Sequence, residues 1–303
     1  MLWKKKGQLW ETNKTNYNMI MLPTPLLVEG NRLRIYCGLC DENNVGKIGY
    51  VDVNPLNPSE VLYYQNQGVL ERGRKGCFDD NGVVPVSVVR VEQQIYLYYV
   101  GFQLGVNVPY YMFTGLAISD DGGYTFHRYS EAPVLDRYQD EVYARCGCYV
   151  LKDENKYKMW YIGSCKDGWT LNGESLKPWY TMKYTESEDG LHWHGAAVKC
   201  MEFETVDEHG FGRPFVWREA EMYKMLYSIR TYSKGYYIGY AESRNGIEWK
   251  RKDDLAGIST SPIEGWDDTN ISYPALFMYD KKTYMFYNGN GCGKTGFGYA
   301  ELV

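Results

Sequence analysis

One phrase recurs along the chain, and it constrains the fold more than any other feature. Tyr157-Lys-Met-Trp-Tyr-Ile-Gly163, Tyr223-Lys-Met-Leu-Tyr-Ser228 and Tyr284-Met-Phe-Tyr-Asn288 are near copies, and Tyr96-Leu-Tyr-Tyr-Val-Gly101 and Leu33-Arg-Ile-Tyr-Cys-Gly38 are looser ones. Their anchor tyrosines are Tyr36, Tyr99, Tyr161, Tyr227 and Tyr287, separated by 63, 62, 66 and 60 residues. A second phrase follows each copy, as in Gly115-Leu-Ala-Ile-Ser119, Ile238-Gly-Tyr-Ala-Glu-Ser243 and Phe297-Gly-Tyr-Ala-Glu301. Self-similarity at such a period marks a repeated supersecondary unit. Three copies continue into Ser119-Asp-Asp-Gly-Gly-Tyr-Thr-Phe126, Ser187-Glu-Asp-Gly-Leu-His-Trp193 and Ser243-Arg-Asn-Gly-Ile-Glu-Trp249. Asp-Gly and Asn-Gly are favoured at the centre of type I′ hairpins, with φ positive at both central residues. These outer hairpins are expected to be structural.

Each unit opens with a short apolar strand, such as Pro25-Leu-Leu-Val28, Val84-Pro-Val-Ser-Val-Val89 or Arg213-Pro-Phe-Val216. No segment of useful length has a 3.6-residue apolar period. Each unit therefore reads as four antiparallel strands. The expected fold is an all-β, five-bladed β-propeller in one domain, because radial repetition protects sheet edges. The blades run over roughly 17–75, 76–135, 136–200, 201–255 and 256–303 plus 1–12. Trp3-Lys-Lys-Lys6 resembles Trp249-Lys-Arg-Lys252, so the N-terminal strand is expected to close the last blade.

The 33 Lys and Arg against 38 Asp and Glu leave a net charge of −5. That balance disfavours a nucleic-acid partner. No apolar run approaches a membrane span, and the N-terminus lacks the apolar stretch of a secretory signal. The eight cysteines show no second CxxC and no histidine at ligand spacing, so neither a metal nor a cofactor is expected. Their pattern fits packing thiols in a reducing cytoplasm. Gly289-Asn-Gly-Cys-Gly293 precedes a strand rather than a helix, unlike a phosphate-cradling loop. His127, His192, His194 and His209 are scattered, and only His209 lies beside an acid of interest.

In a propeller the first strand of each blade lines the central channel. With the five opening strands aligned on Pro25, Pro85, Cys148, Pro214 and Pro274, carboxylates stand about six residues upstream in four units. They are Asp79 and Asp80, Glu141, Glu208, and Asp267 and Asp268. The ends of the second strands bring Asp41, Arg230 and Asn290 to the same mouth, and Arg145 and Arg213 lie within opening strands. Paired carboxylates are what glycosidic-bond hydrolysis uses, one as acid and one as base or nucleophile. Asp80 or Asp79 is the expected base or nucleophile, and Glu208 or Glu141 the expected acid. Arg145, Arg213 and Arg230 are expected to hold an anionic group on the substrate, with Asp41, Asp268 and Asn290 as further contacts. Trp169, Trp179, Tyr143, Tyr273 and Trp266 are candidate stacking surfaces for sugars, or ordinary blade packing.

The chain resembles the five-bladed propeller glycoside hydrolase superfamily: arabinanases and β-xylosidases, invertases and levansucrases, and mannoside phosphorylases. It looks closest to uncharacterised glycosidase-like proteins linked to bacterial surface-polysaccharide genes. The matching phrases include Gly76-Cys-Phe-Asp-Asp-Asn-Gly82, Arg213-Pro-Phe-Val216, Trp266-Asp-Asp268 and Tyr287-Asn-Gly-Asn290, and they cover nearly the whole chain. The resemblance implies a glycosidase-like activity on a carbohydrate, with a non-catalytic glycan or nucleotide-sugar binding protein as the alternative. It also implies an acid at the start of the first blade. Here that stretch reads Asn16-Tyr-Asn-Met-Ile-Met-Leu22, with Asp41 as the only first-blade substitute.

Overall fold

In each unit a run of alternating apolar residues meets its neighbour through a short turn, and the backbone pairs antiparallel. The computed structural model describes residues 1–153, 155–193 and 197–303. The first set comprises β2 (Met19–Val28), β3 (Arg32–Cys40), β4 (Gly46–Asn54) and β5 (Asn57–Leu70), preceded by β1 (Trp3–Glu11). The second comprises β6 (Val83–Val91), β7 (Gln94–Leu104), β8 (Tyr110–Ser119) and the two-residue β9 (His127–Arg128). The third holds β10 (Ala144–Asp153), β11 (Lys156–Asn172), β12 (Ser175–Ser187) and β13 (Val198–Lys199). The fourth holds β14 (Glu208–Glu219), β15 (Met222–Thr231), β16 (Gly235–Ser243) and β17 (Lys250–Arg251). The last holds β18 (Ser272–Tyr279), β19 (Lys282–Asn288) and β20 (Gly296–Leu302).

The strand β1 pairs antiparallel with β20, from Trp3 opposite Leu302 to Glu11 opposite Gly296. Brief parallel contacts join the second, third and fourth sets into one hydrogen-bonded path. The cores lie between sets. Tyr36, Ile48, Phe78 and Tyr99 join the first and second. Val86, Tyr98, Cys148 and Met159 join the second and third. Trp160, Tyr184, Tyr227 and Trp249 join the third and fourth, and Leu226, Ile238, Leu276 and Tyr287 the fourth and last. Trp10, Tyr284, Phe286, Ile35 and Val51 join the last set back to the first. Each such side chain contributes about 1.5–3 kcal/mol of burial.

The hairpin turns are structural, though not of type I′. Only the glycines have positive φ, at 78° and 90° for Gly122 and Gly123, 74° for Gly190 and 76° for Gly246. The preceding Asp121, Asp189 and Asn245 instead accept backbone N–H groups through their side chains, as Asx turns do. Each turn is also stapled to the preceding set. Tyr36 Oη donates to the Gly123 carbonyl at 3.0 Å, Tyr98 Oη to that of Gly190 at 2.6 Å, and Trp160 Nε1 to that of Gly246 at 2.6 Å. Burial raises the pKa of Cys37, Cys146 and Cys148, in keeping with packing thiols. Among the described residues no helix is long and apolar enough to cross a membrane.

Candidate functional site

The repeated tyrosine and the repeated carboxylate turn out to be partners. Tyr99 Oη donates to Asp79 Oδ2 at 3.0 Å, Tyr161 Oη to Glu141 Oε2 at 2.9 Å and Tyr287 Oη to Asp267 Oδ2 at 2.9 Å. In the fourth set the tyrosine's partner is Asp253, at 2.7 Å from Tyr227 Oη. A cation completes each cluster. Arg128 Nε lies 2.8 Å from Asp79, Lys5 Nζ 2.6 Å from Asp267, and Arg145 Nε and Lys183 Nζ 3.1 and 3.3 Å from Glu141. Arg251 holds Glu208 with both terminal nitrogens, at 2.7 and 2.9 Å, and also bonds Asp253. Glycines on the third strands make room. A Cβ on Gly115 would sit 2.2 Å from Tyr99 Cζ, and one on Gly239 2.5 Å from Asp253 Oδ1.

This pairing decides where the expected acids stand. Asp79, Glu141 and Glu208 are buried, each in its own ion-paired cluster, and share no partner with one another. Asp80 is half-buried and accepts the Gly76 N–H at 2.9 Å. Asp41 caps its own loop, accepting N–H groups of Asn43 and Val45, both at 2.9 Å. Asn290 bonds Asp268 and the Gly265 carbonyl, and accepts from Thr269 and Asn270, so that pair ties two loops together. Arg145 is spent on Glu141, Tyr161 and the Asp136 carbonyl. His194 lies outside the described residues.

The arginines part company at the channel. A cavity of about 460 Å³ opens between the first strands, lined by Leu22, Val84, Phe102, Tyr110, Met112, Gly147, Tyr180, Phe211, Arg213, Arg230, Tyr236 and Tyr273, among others. No carboxylate occurs among the described lining residues. Arg213 is fully buried, and its fork is taken up by two backbone carbonyls and a threonine hydroxyl. Nε donates to Val86 O at 3.2 Å, Nη1 to Pro23 O at 2.6 Å, and Nη2 to Thr24 Oγ1 at 3.0 Å. It is a hub between opening strands rather than a free anion ligand.

Arg230, near the end of β15, is different. Its register partner is Gly210, whose missing side chain leaves room for the arginine stem. The guanidinium lies 4.8 Å from the Tyr180 ring and 5.3 Å from that of Tyr236. Tyr273 packs on Tyr236, with ring centroids 5.6 Å apart. Burial raises the pKa of Tyr180, Tyr236 and Tyr273, so all three are neutral near pH 7. His209 is held neutral as well, its pKa lowered to about 4 by burial and then by Arg230.

The strands bulge where they line the cavity. Leu22 and Tyr273 adopt left-handed φ values of 59° and 57°. Their N–H groups are met by Asn288 Oδ1 at 2.7 Å and Ser228 Oγ at 2.8 Å. Bulges re-aim side chains beside functional sites. Of the aromatics named from sequence, Tyr273 lines the cavity, Trp169 packs on Tyr110 and Tyr143, and Trp266 stacks on Tyr287. Trp179 packs on Phe203, while the carbonyl beside it anchors Tyr143 Oη. Tyr110, Tyr180 and Tyr236 escaped the sequence reading, since they lie outside the repeated phrase that drew the eye.

The architecture is that of the β-propellers found among glycoside hydrolases. The α-L-arabinofuranosidase of Lactobacillus brevis superposes with a TM-score of 0.72 at 8% identity, covering 97% of this chain and 94% of that one. An endo-arabinase of Bacteroides thetaiotaomicron gives 0.68 at 13% identity, covering 98% of both chains. A β-fructofuranosidase of Bombyx mori gives 0.64 at 14% identity, covering 99% of this chain and 61% of that one. The chain belongs to the same family as Uncharacterized protein Rv1502 of Mycobacterium tuberculosis, which is 32% identical over 305 residues, spanning 100% of this chain and 99% of that protein. No family model matches.

Proposed function

We propose that the chain is a single five-bladed propeller, with four strands per blade and β1 completing the last. The blades are residues 17–75, 76–135, 136–200, 201–255 and 256–303 with 1–12. Its central cavity binds a carbohydrate or sugar conjugate, nucleotide-sugars included, without hydrolysing it through Asp79, Asp80, Glu141 or Glu208. One observation carries this reading: the cavity is walled by tyrosines and apolar side chains, while Asp79, Glu141 and Glu208 lie outside its lining, each beside a cation in a buried ion pair. Hydrolysis needs two carboxylates facing one glycosidic bond. Aromatic walls with a few polar groups suit a small ligand, and the volume is in the range of such sites. The buried thiols favour a reducing compartment, the cytoplasm.

Glycosidase action is the second reading, favoured by the shared fold and by Asp80. That residue is half-buried and stands beside Asn81, which lines the cavity. A panel of aryl-glycosides and nucleotide-sugars, scored for both turnover and binding, separates the two. Binding without turnover above background, weakened about tenfold or more by Tyr236→Ala, is the expected result. Turnover that disappears in Asp80→Asn would establish hydrolysis instead.

A further inference from the structure

We infer that the cavity takes an anionic sugar conjugate, its carboxylate or phosphate seated on Arg230; this rests on the carbohydrate-binding reading above. Arg230 is the one cationic side chain of the described lining whose hydrogen bonds are unfilled. Nε and Nη1 are buried without an acceptor, and no ion pair is formed with a described residue. Its neighbours give it aromatic faces but no countercharge. A guanidinium does not shed its proton at physiological pH. The tyrosines and His209 around it are neutral there.

A buried charge without a partner is costly, and proteins pair such charges or put them to use. The other buried arginines illustrate the rule. Arg34 is paired bidentately with Asp52 at 2.8 Å, Arg251 with Glu208, Arg145 with Glu141, and Arg213 is surrounded by carbonyls. Arg230 alone among them has neither an ion pair with a described residue nor an acceptor for Nε and Nη1, and it lines the cavity together with the bulged Tyr273. A planar fork with unfilled N–H groups matches carboxylate or phosphate oxygens. A second buried donor without an acceptor, Trp169 Nε1, belongs to the ring that packs on Tyr110 at 5.1 Å. Tyr110 also lines the cavity. Arg230 thus brings unfilled donors to a lining that is otherwise largely apolar and aromatic, with Met21, Val84 and Val86 among its residues.

The experiment is a calorimetric titration of the full chain with methyl glucoside, glucuronate, glucose 1-phosphate and inorganic phosphate. The Nε–H resonance of Arg230 is followed by NMR in the same titrations. The anions should bind at least tenfold more tightly than methyl glucoside and shift the Arg230 resonance. Arg230→Gln should remove at least tenfold of anion affinity and leave methyl glucoside within about twofold; Arg230→Lys should recover part of the loss. Glucuronate and glucose 1-phosphate distinguish a carboxylate from a phosphate source. Equal affinity for charged and neutral sugars, or an Arg230 resonance unmoved by every anion, overturns the inference. Neutral sugars bound equally well would leave the carbohydrate reading standing; inorganic phosphate bound with every sugar rejected would remove that reading and keep the anion seat. The resonance is read on the unmodified protein, so the test survives a variant that fails to fold.

Discussion

Arg213 Nη1 donates to the Pro23 carbonyl at 2.6 Å across 190 residues of sequence. The same guanidinium reaches Val86 and Thr24, so one side chain on β14 ties together the opening strands of three other sets, with a longer 3.5 Å contact to Tyr273 O. Burial works against its charge and lowers its pKa to about 9, and carbonyl dipoles stand in for the lost water.

Replacing Arg213 should therefore damage the fold before it touches any ligand. Arg213→Lys keeps a charge but loses the fork, and Arg213→Met strands the carbonyls. Both should lower the unfolding free energy by at least about 3 kcal/mol. Urea unfolding is the measurement, and an unchanged midpoint in both variants would contradict the hub role.

The acids picked out by the repeat should behave as structural groups. Glu141→Gln leaves Arg145 and Lys183 without their shared carboxylate, and Glu208→Gln takes from Arg251 its bidentate partner, leaving it Asp253. Breaking a buried pair from one side costs about 3–5 kcal/mol. Asp80→Asn, which alters one half-buried loop contact, should cost no more than about 1 kcal/mol. Thermal melts of the three variants should rank in that order.

Gly115→Ala and Gly239→Ala should each destabilise by about 1–3 kcal/mol, because the added methyl meets a tyrosine ring or its carboxylate partner below contact distance. A rescue is built into the design. Pairing Gly115→Ala with Tyr99→Leu should cost less than the sum of the single changes, as chemical denaturation of the four proteins would show.

His209 predicts a pH dependence with a definite sign. Its pKa is 6.5 in an ordinary setting and about 4 in the fold. Between those values the unfolded chain takes up a proton that the folded chain refuses. Stability should thus fall as the pH drops from about 6.5 to about 4, and this contribution should be flat outside that window. Its size is roughly 3 kcal/mol, at 1.36 kcal/mol per pH unit. Denaturation at pH 7 and pH 4.5 measures it, and His209→Gln should remove that part of the slope; an identical slope in the variant would place its source elsewhere.

The sequence spoke clearly about the sheets and the staples between them, because period-2 alternation and repeated aromatics are local signals. It singled out Asp79 and Glu141 as catalytic candidates, and their bonding to the repeated tyrosines is visible in the spacing. Asp79 and Tyr99, Glu141 and Tyr161, and Asp267 and Tyr287 are each 20 residues apart. That common interval, an acid repeating in step with the tyrosine that bonds it, was there to be read. The fates of Arg213 and Arg230 were not. Bulges interrupt β14 between Gly212 and Phe215, and a one-residue slip turns a side chain to the opposite face. Nor does any pattern along the chain tell a guanidinium met by distant carbonyls from one left open.

The pairing of β1 with β20 has a mechanical consequence. Trp3 lies opposite Leu302 and Leu2 O accepts the Val303 N–H at 3.0 Å, so both outer ends emerge at the same end of an antiparallel ladder. Tension applied at those two points loads the ladder one rung at a time, as in opening a zipper, instead of shearing all rungs together. A ring held by many cores would then yield to a gentle pull at this seam, while the same force applied between two internal strands left it intact.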